Sequence, residues 1–139
     1  ALLHDLGKSQ LDPHIINSKG KLTPAQWDAI RRHPVLGYEI LREHSGLDDL
    51  VLDVARHHHE KLNGAGYPDG LSASSISPYV RITTIADIFD ALTTRRAYKG
   101  ALGSFPALRL MKNEMKNELD RTLFAQFVEM MGDPAGATG

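Results

Sequence analysis

Ser77-Pro78-Tyr79-Val80-Arg81-Ile82-Thr83-Thr84-Ile85-Ala86-Asp87-Ile88-Phe89-Asp90-Ala91-Leu92-Thr93 is the stretch that decides the fold. Its first two residues pair a capping hydroxyl with a proline at the first helical position, where the missing N–H costs nothing. Ile82, Ile85, Ala86, Phe89 and Leu92 then recur at spacings of three and four, the period of a helix that buries one face. The stretch therefore predicts a central helix, with Asp87 as a carboxylate beside the apolar stripe.

The same signals recur on both sides. Thr23-Pro24-Ala25-Gln26 reads as a capping box. The stripe of Trp27, Ile30, Leu36, Ile40 and Leu41 continues from it, and His33-Pro34 breaks it, so two helices are expected to meet at His33. Gly46 ends this segment, and Asp48 or Asp49 can cap the next, whose face of Leu50, Val51, Val54 and Ala55 runs into His57-His58-His59-Glu60 at a helix end. Residues 61–77 are rich in Gly, Asn, Pro and Ser, too long for a plain connection, and read as an active-site loop. There Asn63-Gly64 and Gly66 are expected to supply positive φ and close approach, Pro68 to stiffen the exit, and Tyr67 to be presented to a ligand. Downstream, Leu108, Met111, Met115 and Leu119 mark one more helix, and Asp120 caps a last one bearing Leu123, Phe127 and Met131, with the methionines as core filling. Gly132 and Pro134 stop it. No segment needs a sheet, so the fold class is all-α, a helical bundle.

At 139 residues the chain suits one domain, here residues 1–134, with a disordered tail over 135–139. The formal net charge of -1 gives no general attraction to DNA or an anionic membrane, so anion binding has to be local. The absence of cysteine excludes disulfides, thiolate zinc sites and thiol nucleophiles, and is compatible with a reducing cytoplasm, where the protein is expected. No run approaches the ~20 apolar residues of a membrane span. Ala1-Leu2-Leu3-His4-Asp5-Leu6 reads as the inside of a helix without a cap, which predicts that an upstream part is missing.

Four polar clusters touch the apolar stripes: His4-Asp5, His33, His58-His59 and Asp87. Imidazole with carboxylate is the ligand set of zinc, iron or manganese, and Asp5, with two oxygens, is the natural bridge between two ions. Paired ions ~3.5–4 Å apart are the usual design for phosphodiester hydrolysis, because they activate water and neutralise charge at phosphorus. Each cluster also has a plain reading. His33 before Pro34 can be a packed residue, Asp87 a solvated carboxylate, and the histidine run a helix end stabilised by the dipole. Consecutive histidines point in different directions, so at most two of His57, His58 and His59 converge. Asp69 and Asp90 read as solvated carboxylates, and His14 and His44 as surface residues.

The order and context of these clusters resemble the HD-GYP subgroup of the HD hydrolase superfamily. His4-Asp5-Leu6-Gly7-Lys8 is similar to the signature His-Asp-x-Gly-Lys, and His58-His59-Glu60-Lys61-Leu62-Asn63-Gly64-Ala65-Gly66-Tyr67-Pro68 to the motif that names the subgroup. The similarity continues through Lys19-Gly20-Lys21-Leu22-Thr23, His33-Pro34, Arg81-Ile82, Asp87-Ile88-Phe89-Asp90-Ala91-Leu92-Thr93 and Arg96-Ala97-Tyr98-Lys99.

The resemblance implies an HD-type helical bundle, its N-terminal helices missing, that hydrolyses cyclic di-GMP to the linear dinucleotide pGpG and onward to GMP in bacterial second-messenger signalling. It implies two divalent ions of iron, manganese or zinc, with a third in the full-length domain of some members. By its pattern Asp5 bridges, His33, His58 and His59 hold one ion, and His4 with Asp87 the other. Lys8, Tyr67, Arg96 and Lys99 match positions that hold the phosphates or guanine, and Lys8 also stabilises charge in the reaction. Arg81 and Arg95 are further candidates, Arg81 alternatively forming a structural ion pair. Implied partners are the cyclic dinucleotide, a sensory or receiver domain upstream and a diguanylate cyclase. The family's upstream helix adds a further histidine ligand that this chain begins too late to contain, so the alternative is a weak or inactive module that binds a cyclic dinucleotide or a partner protein. A different HD hydrolase would leave the Tyr67 loop unexplained.

Overall fold

The computed structural model describes residues 5–12, 14, 22–44, 46–94 and 100–132. Ser77 caps the central helix as expected: its hydroxyl accepts from Val80 N–H at 3.3 Å, and the helix runs Pro78–Thr93. It is the fourth of six α-helices among the described residues, so it is α4, after α1 (Pro24–Ile30), α2 (His33–Arg42) and α3 (Asp49–His57), and before α5 (Ser104–Glu114) and α6 (Arg121–Gly132). Short 3-10 helices over Leu6–Gln10 and Ala73–Ser75 complete the order, and the described residues contain no strand.

Local chemistry sets most boundaries. Thr23 and Gln26 exchange both bonds of the capping box, at 3.2 and 2.8 Å. The Arg31-Arg32 turn separates α1 from α2, so the helices meet at His33. Asp48, not Asp49, caps α3 by accepting from Leu50 N–H at 2.9 Å. Asp120 does the same for Leu123 at the start of α6.

The bundle has two halves joined by α4. In the first, the Leu6–Gln10 turn packs on α2, α2 on α3 and α3 on α4, over a small core of Val54, Ile76 and Val80. In the second, α5 and α6 close on α4 over Ile85, Leu92, Ala107, Met111 and Leu119, with Phe89 and Phe127 edge to face at 5.3 Å. Thr84 lies between the halves, its hydroxyl donating to the carbonyls of His58 and Val80, both at 2.9 Å, so the end of α3 is tied to α4.

Some expectations need correcting. The buried face of α4 is carried by Val80, Thr84, Ile85 and Leu92, whereas Ile82 is 53% exposed and Ala86 also faces outward. The helix is gripped from two sides, so the buried arc is rotated from the stripe that spacing alone suggested. Leu119 is buried but lies beyond α5, which ends at Glu114, because the chain turns there and folds Leu119 back onto the core. Met111 fills the core as expected, while Met130 and Met131 are 55% and 44% exposed at the end of α6, where no helix covers them among the described residues. No helix among the described residues is long and apolar enough to cross a membrane.

Candidate metal centre

Two buried histidines define the centre, and the backbone fixes both rings. His33, at the first position of α2 and 1% exposed, sets Nδ1 2.7 Å from the Ile30 carbonyl. His58, the C-cap of α3 and equally buried, sets Nδ1 3.0 Å from the Ala55 carbonyl and 3.2 Å from that of Val54. A carbonyl only accepts, so each Nδ1 donates, and in a neutral ring the lone pair is left on Nε2. Those two Nε2 atoms are 3.2 Å apart, and each lies 3.4 Å from Asp5 Oδ1. Three electron-rich atoms thus converge, which is repulsive unless a cation or proton sits among them.

His59 completes the group: Asp5, His33, His58 and His59 each offer a ligand atom within 4.8 Å of the other three. Burial, reinforced by His58 and His33 against the opposing pull of Asp87 and Asp5, lowers the His59 pKa to about 3. The ring is therefore neutral at pH 7 and ready to donate a lone pair. Three imidazoles, two of them held in one tautomer, and one carboxylate fit a divalent transition metal.

Asp5 arrives through close backbone packing. Gly7 sits where a Cβ would overlap the His33 carbonyl and lie 2.6 Å from Gly37 N, so only glycine lets the Leu6–Gln10 turn approach α2 this closely. Lys8 places Nζ 3.5 Å from Asp5 Oδ1, at the edge of the cluster. Tyr67 stacks on His59 with centroids 5.0 Å apart and planes 15° apart, and burial pushes its hydroxyl up to about 12, so it remains a neutral donor. Arg31 lies over Tyr67, its guanidinium carbon 5.9 Å from the ring centroid.

Glu60, unassigned by sequence reasoning, organises the loop. It is 2% exposed; Oε1 accepts from the backbone N–H of Asp69 at 2.7 Å and Gly70 at 3.1 Å, and Oε2 from Leu71 at 2.9 Å. Asp69, expected to be merely solvated, pairs with Arg56 through bonds of 2.9 and 3.1 Å and lies 2.8 Å from His57 Nε2. The Arg56 bond is the main reason its pKa falls to about 2. His57 also lies 2.7 Å from Asp53 through Nδ1, so it turns away from the centre, and the converging pair is His58 and His59. The loop glycines divide: Gly64 takes φ +81°, whereas Gly66 does not take positive φ and instead leaves room for the backbone of residues 59–61.

Asp87, half-buried on α4, is near enough to be felt electrostatically by His59 and Tyr67 but is not one of the four clustered ligands. His4, Arg95, Arg96 and Lys99 lie outside the described residues. Arg81 is structural: it donates to Asp120 at 2.9 Å and to the carbonyls of Ile76 and Ala73. His14 and His44 are exposed, as expected.

The chain is similar to known proteins. Over 137 residues the chain is 39% identical to "Cyclic di-GMP phosphodiesterase PA4108" of Pseudomonas aeruginosa, covering 98% of this chain and 33% of that protein. Over 125 residues it is 41% identical to "3'3'-cGAMP-specific phosphodiesterase 3" of Vibrio cholerae, covering 90% of this chain and 27% of the relative. The chain thus spans about a third or less of the length of these curated relatives. Among solved structures, Bd1817, a HDG"Y"P protein from Bdellovibrio bacteriovorus, superposes with a TM-score of 0.76 over 95% of this chain and 42% of that one, at 19% identity, which establishes likeness of fold. The family model described as "HD domain" matches residues 1–123, and the chain belongs to the HD domain family.

Proposed function

We propose that residues 1–134 are the catalytic core of an HD-GYP phosphodiesterase that hydrolyses a cyclic dinucleotide, cyclic di-GMP in the first instance. The observation that carries the reading is the convergence of His33 Nε2, His58 Nε2 and Asp5 Oδ1 within 3.2 to 3.4 Å of one another. The names of the relatives from Pseudomonas aeruginosa and Vibrio cholerae support the substrate class.

In this reading His33, His58, His59 and Asp5 would hold one divalent ion, iron, manganese or zinc, and His4 and Asp87, with Asp5 between the two sets, would serve a second. The chemistry such ions supply is activation of water and neutralisation of charge at phosphorus. Lys8, beside Asp5, donates to a phosphoryl oxygen on which charge grows during attack. The Tyr67 hydroxyl, neutral across the physiological range, donates to the same substrate from beside His59. Arg96 and Lys99 provide further contacts to phosphate or guanine. The first product is the linear dinucleotide pGpG, with GMP following a second cleavage.

The test combines metal analysis of the purified chain with turnover of cyclic di-GMP and 3'3'-cGAMP. About two metal ions per chain and turnover that Asp5→Asn removes together with the metal are expected. Full activity in Asp5→Asn, or metal-free protein that still cleaves, would overturn the reading.

A further inference from the structure

A cyclic dinucleotide carries two phosphodiesters on opposite sides of its macrocycle, and a centre that cleaves one must still hold the other. Arg31 has the position and chemistry to do this. It occupies the turn between α1 and α2, where its N–H donates to Trp27 O at 2.9 Å, and the preceding residue, Ile30, supplies the carbonyl that orients the His33 ring. The backbone that fixes a metal ligand therefore also fixes the origin of the Arg31 side chain.

From there the guanidinium lies over Tyr67, and Tyr67 is stacked on His59. The three groups run from the metal cluster towards solvent, with the cation the most exposed of them. Tyr67 is in contact with both His59 and Arg31, and of the three the group most open to a ligand is the guanidinium, whose side chain is 57% exposed. Its nearby carboxylate, Asp28, is 3.9 Å away, and the side chains of Arg31 and Asp28 are 57% and 74% exposed, an arrangement of little energetic weight. The fork of donors is therefore largely open to an anion beside the Tyr67 ring.

We propose that Arg31 is a specificity-determining substrate contact that binds the phosphodiester not undergoing cleavage. This deepens the phosphodiesterase reading and rests on it. Arg31 makes the chain prefer a substrate with two phosphates over a small diester with one.

The experiment compares wild type with Arg31→Ala and Arg31→Lys in the manganese-loaded chain, on cyclic di-GMP and on bis(p-nitrophenyl) phosphate, with calorimetric binding of cyclic di-GMP alongside. Loss of a charge-assisted contact predicts that Arg31→Ala raises KM and Kd for cyclic di-GMP about tenfold. Metal content, kcat and turnover of the single-phosphate diester should stay within about twofold, and Arg31→Lys should fall between. Unchanged KM and Kd for cyclic di-GMP, or equal losses on both substrates, would overturn the assignment. Wild type that binds cyclic di-GMP without cleaving it would refute the phosphodiesterase reading, while Kd would still decide Arg31. Wild type that neither binds nor cleaves would refute both.

Discussion

Replacing Glu60 by Gln tests whether one buried carboxylate sets the shape of the loop that carries Tyr67. Three backbone N–H groups, of Asp69, Gly70 and Leu71, converge on its two oxygens at 2.7 to 3.1 Å. The amide oxygen of Gln can retain Asp69 and Gly70, but its NH2 then faces Leu71 N–H, donor against donor. A hydrogen bond to a charged group contributes about 1.5–3 kcal/mol, and a buried donor left unmade costs about 1–3 kcal/mol. The smaller burial cost of a neutral amide offsets part of this. The expected net loss is therefore about 2–3 kcal/mol, equivalent to a fall in Tm of roughly 10 °C for a chain of this size. Urea denaturation of the metal-free chain measures it, with an unchanged m-value showing that the transition remains comparable. A loss below about 1 kcal/mol would refute the claim that Glu60 holds the loop.

Two further perturbations follow from the geometry. Gly7→Ala puts a methyl group into the His33 carbonyl and against Gly37 N, so the Leu6–Gln10 turn must move away and take Asp5 with it; overpacking of this kind costs about 1–3 kcal/mol, and elemental analysis should find most of the metal gone. Normal metal content in Gly7→Ala would contradict the account. Asp69, whose pKa falls from 3.8 to about 2, stabilises the folded chain above pH 3.8, and that contribution is lost as pH falls through 2. Asp69→Asn should therefore flatten the dependence of stability on pH across this interval, and equal slopes for wild type and variant would rule out the Arg56 pairing as its source.

Helix placement was legible because its signals are local. Thr23, Asp48, Ser77 and Asp120 each accept from a backbone N–H two or three residues on, a relation visible in the order of residues. The buried arc of α4 was less legible. Ile82 and Ala86 fit a helical stripe as well as Val80 and Thr84 do, and only packing against α3 on one side and α5 and α6 on the other selects between them. In the site, residue type carried the reading of Asp5, His33, His58 and His59, which the structure brings together. Glu60 and Asp69 were missed because their partners depend on loop closure: an acid nine residues from the N–H it binds leaves no periodic trace. An acidic residue directly after a run of histidines and before a glycine-rich segment was the available clue.

The contacts that set the tautomers of His33 and His58 come from main-chain oxygens of Ile30 and Ala55. No codon change can delete a peptide carbonyl, so single substitutions at those positions alter bulk but leave the acceptor in place. Where a carboxylate does this job, one mutation can retune how strongly a ring donates to its ion. For His33 and His58 that route is closed, and evolutionary change in which ion such a cluster would favour has to work through the ligands themselves or through the relative placement of α2 and α3.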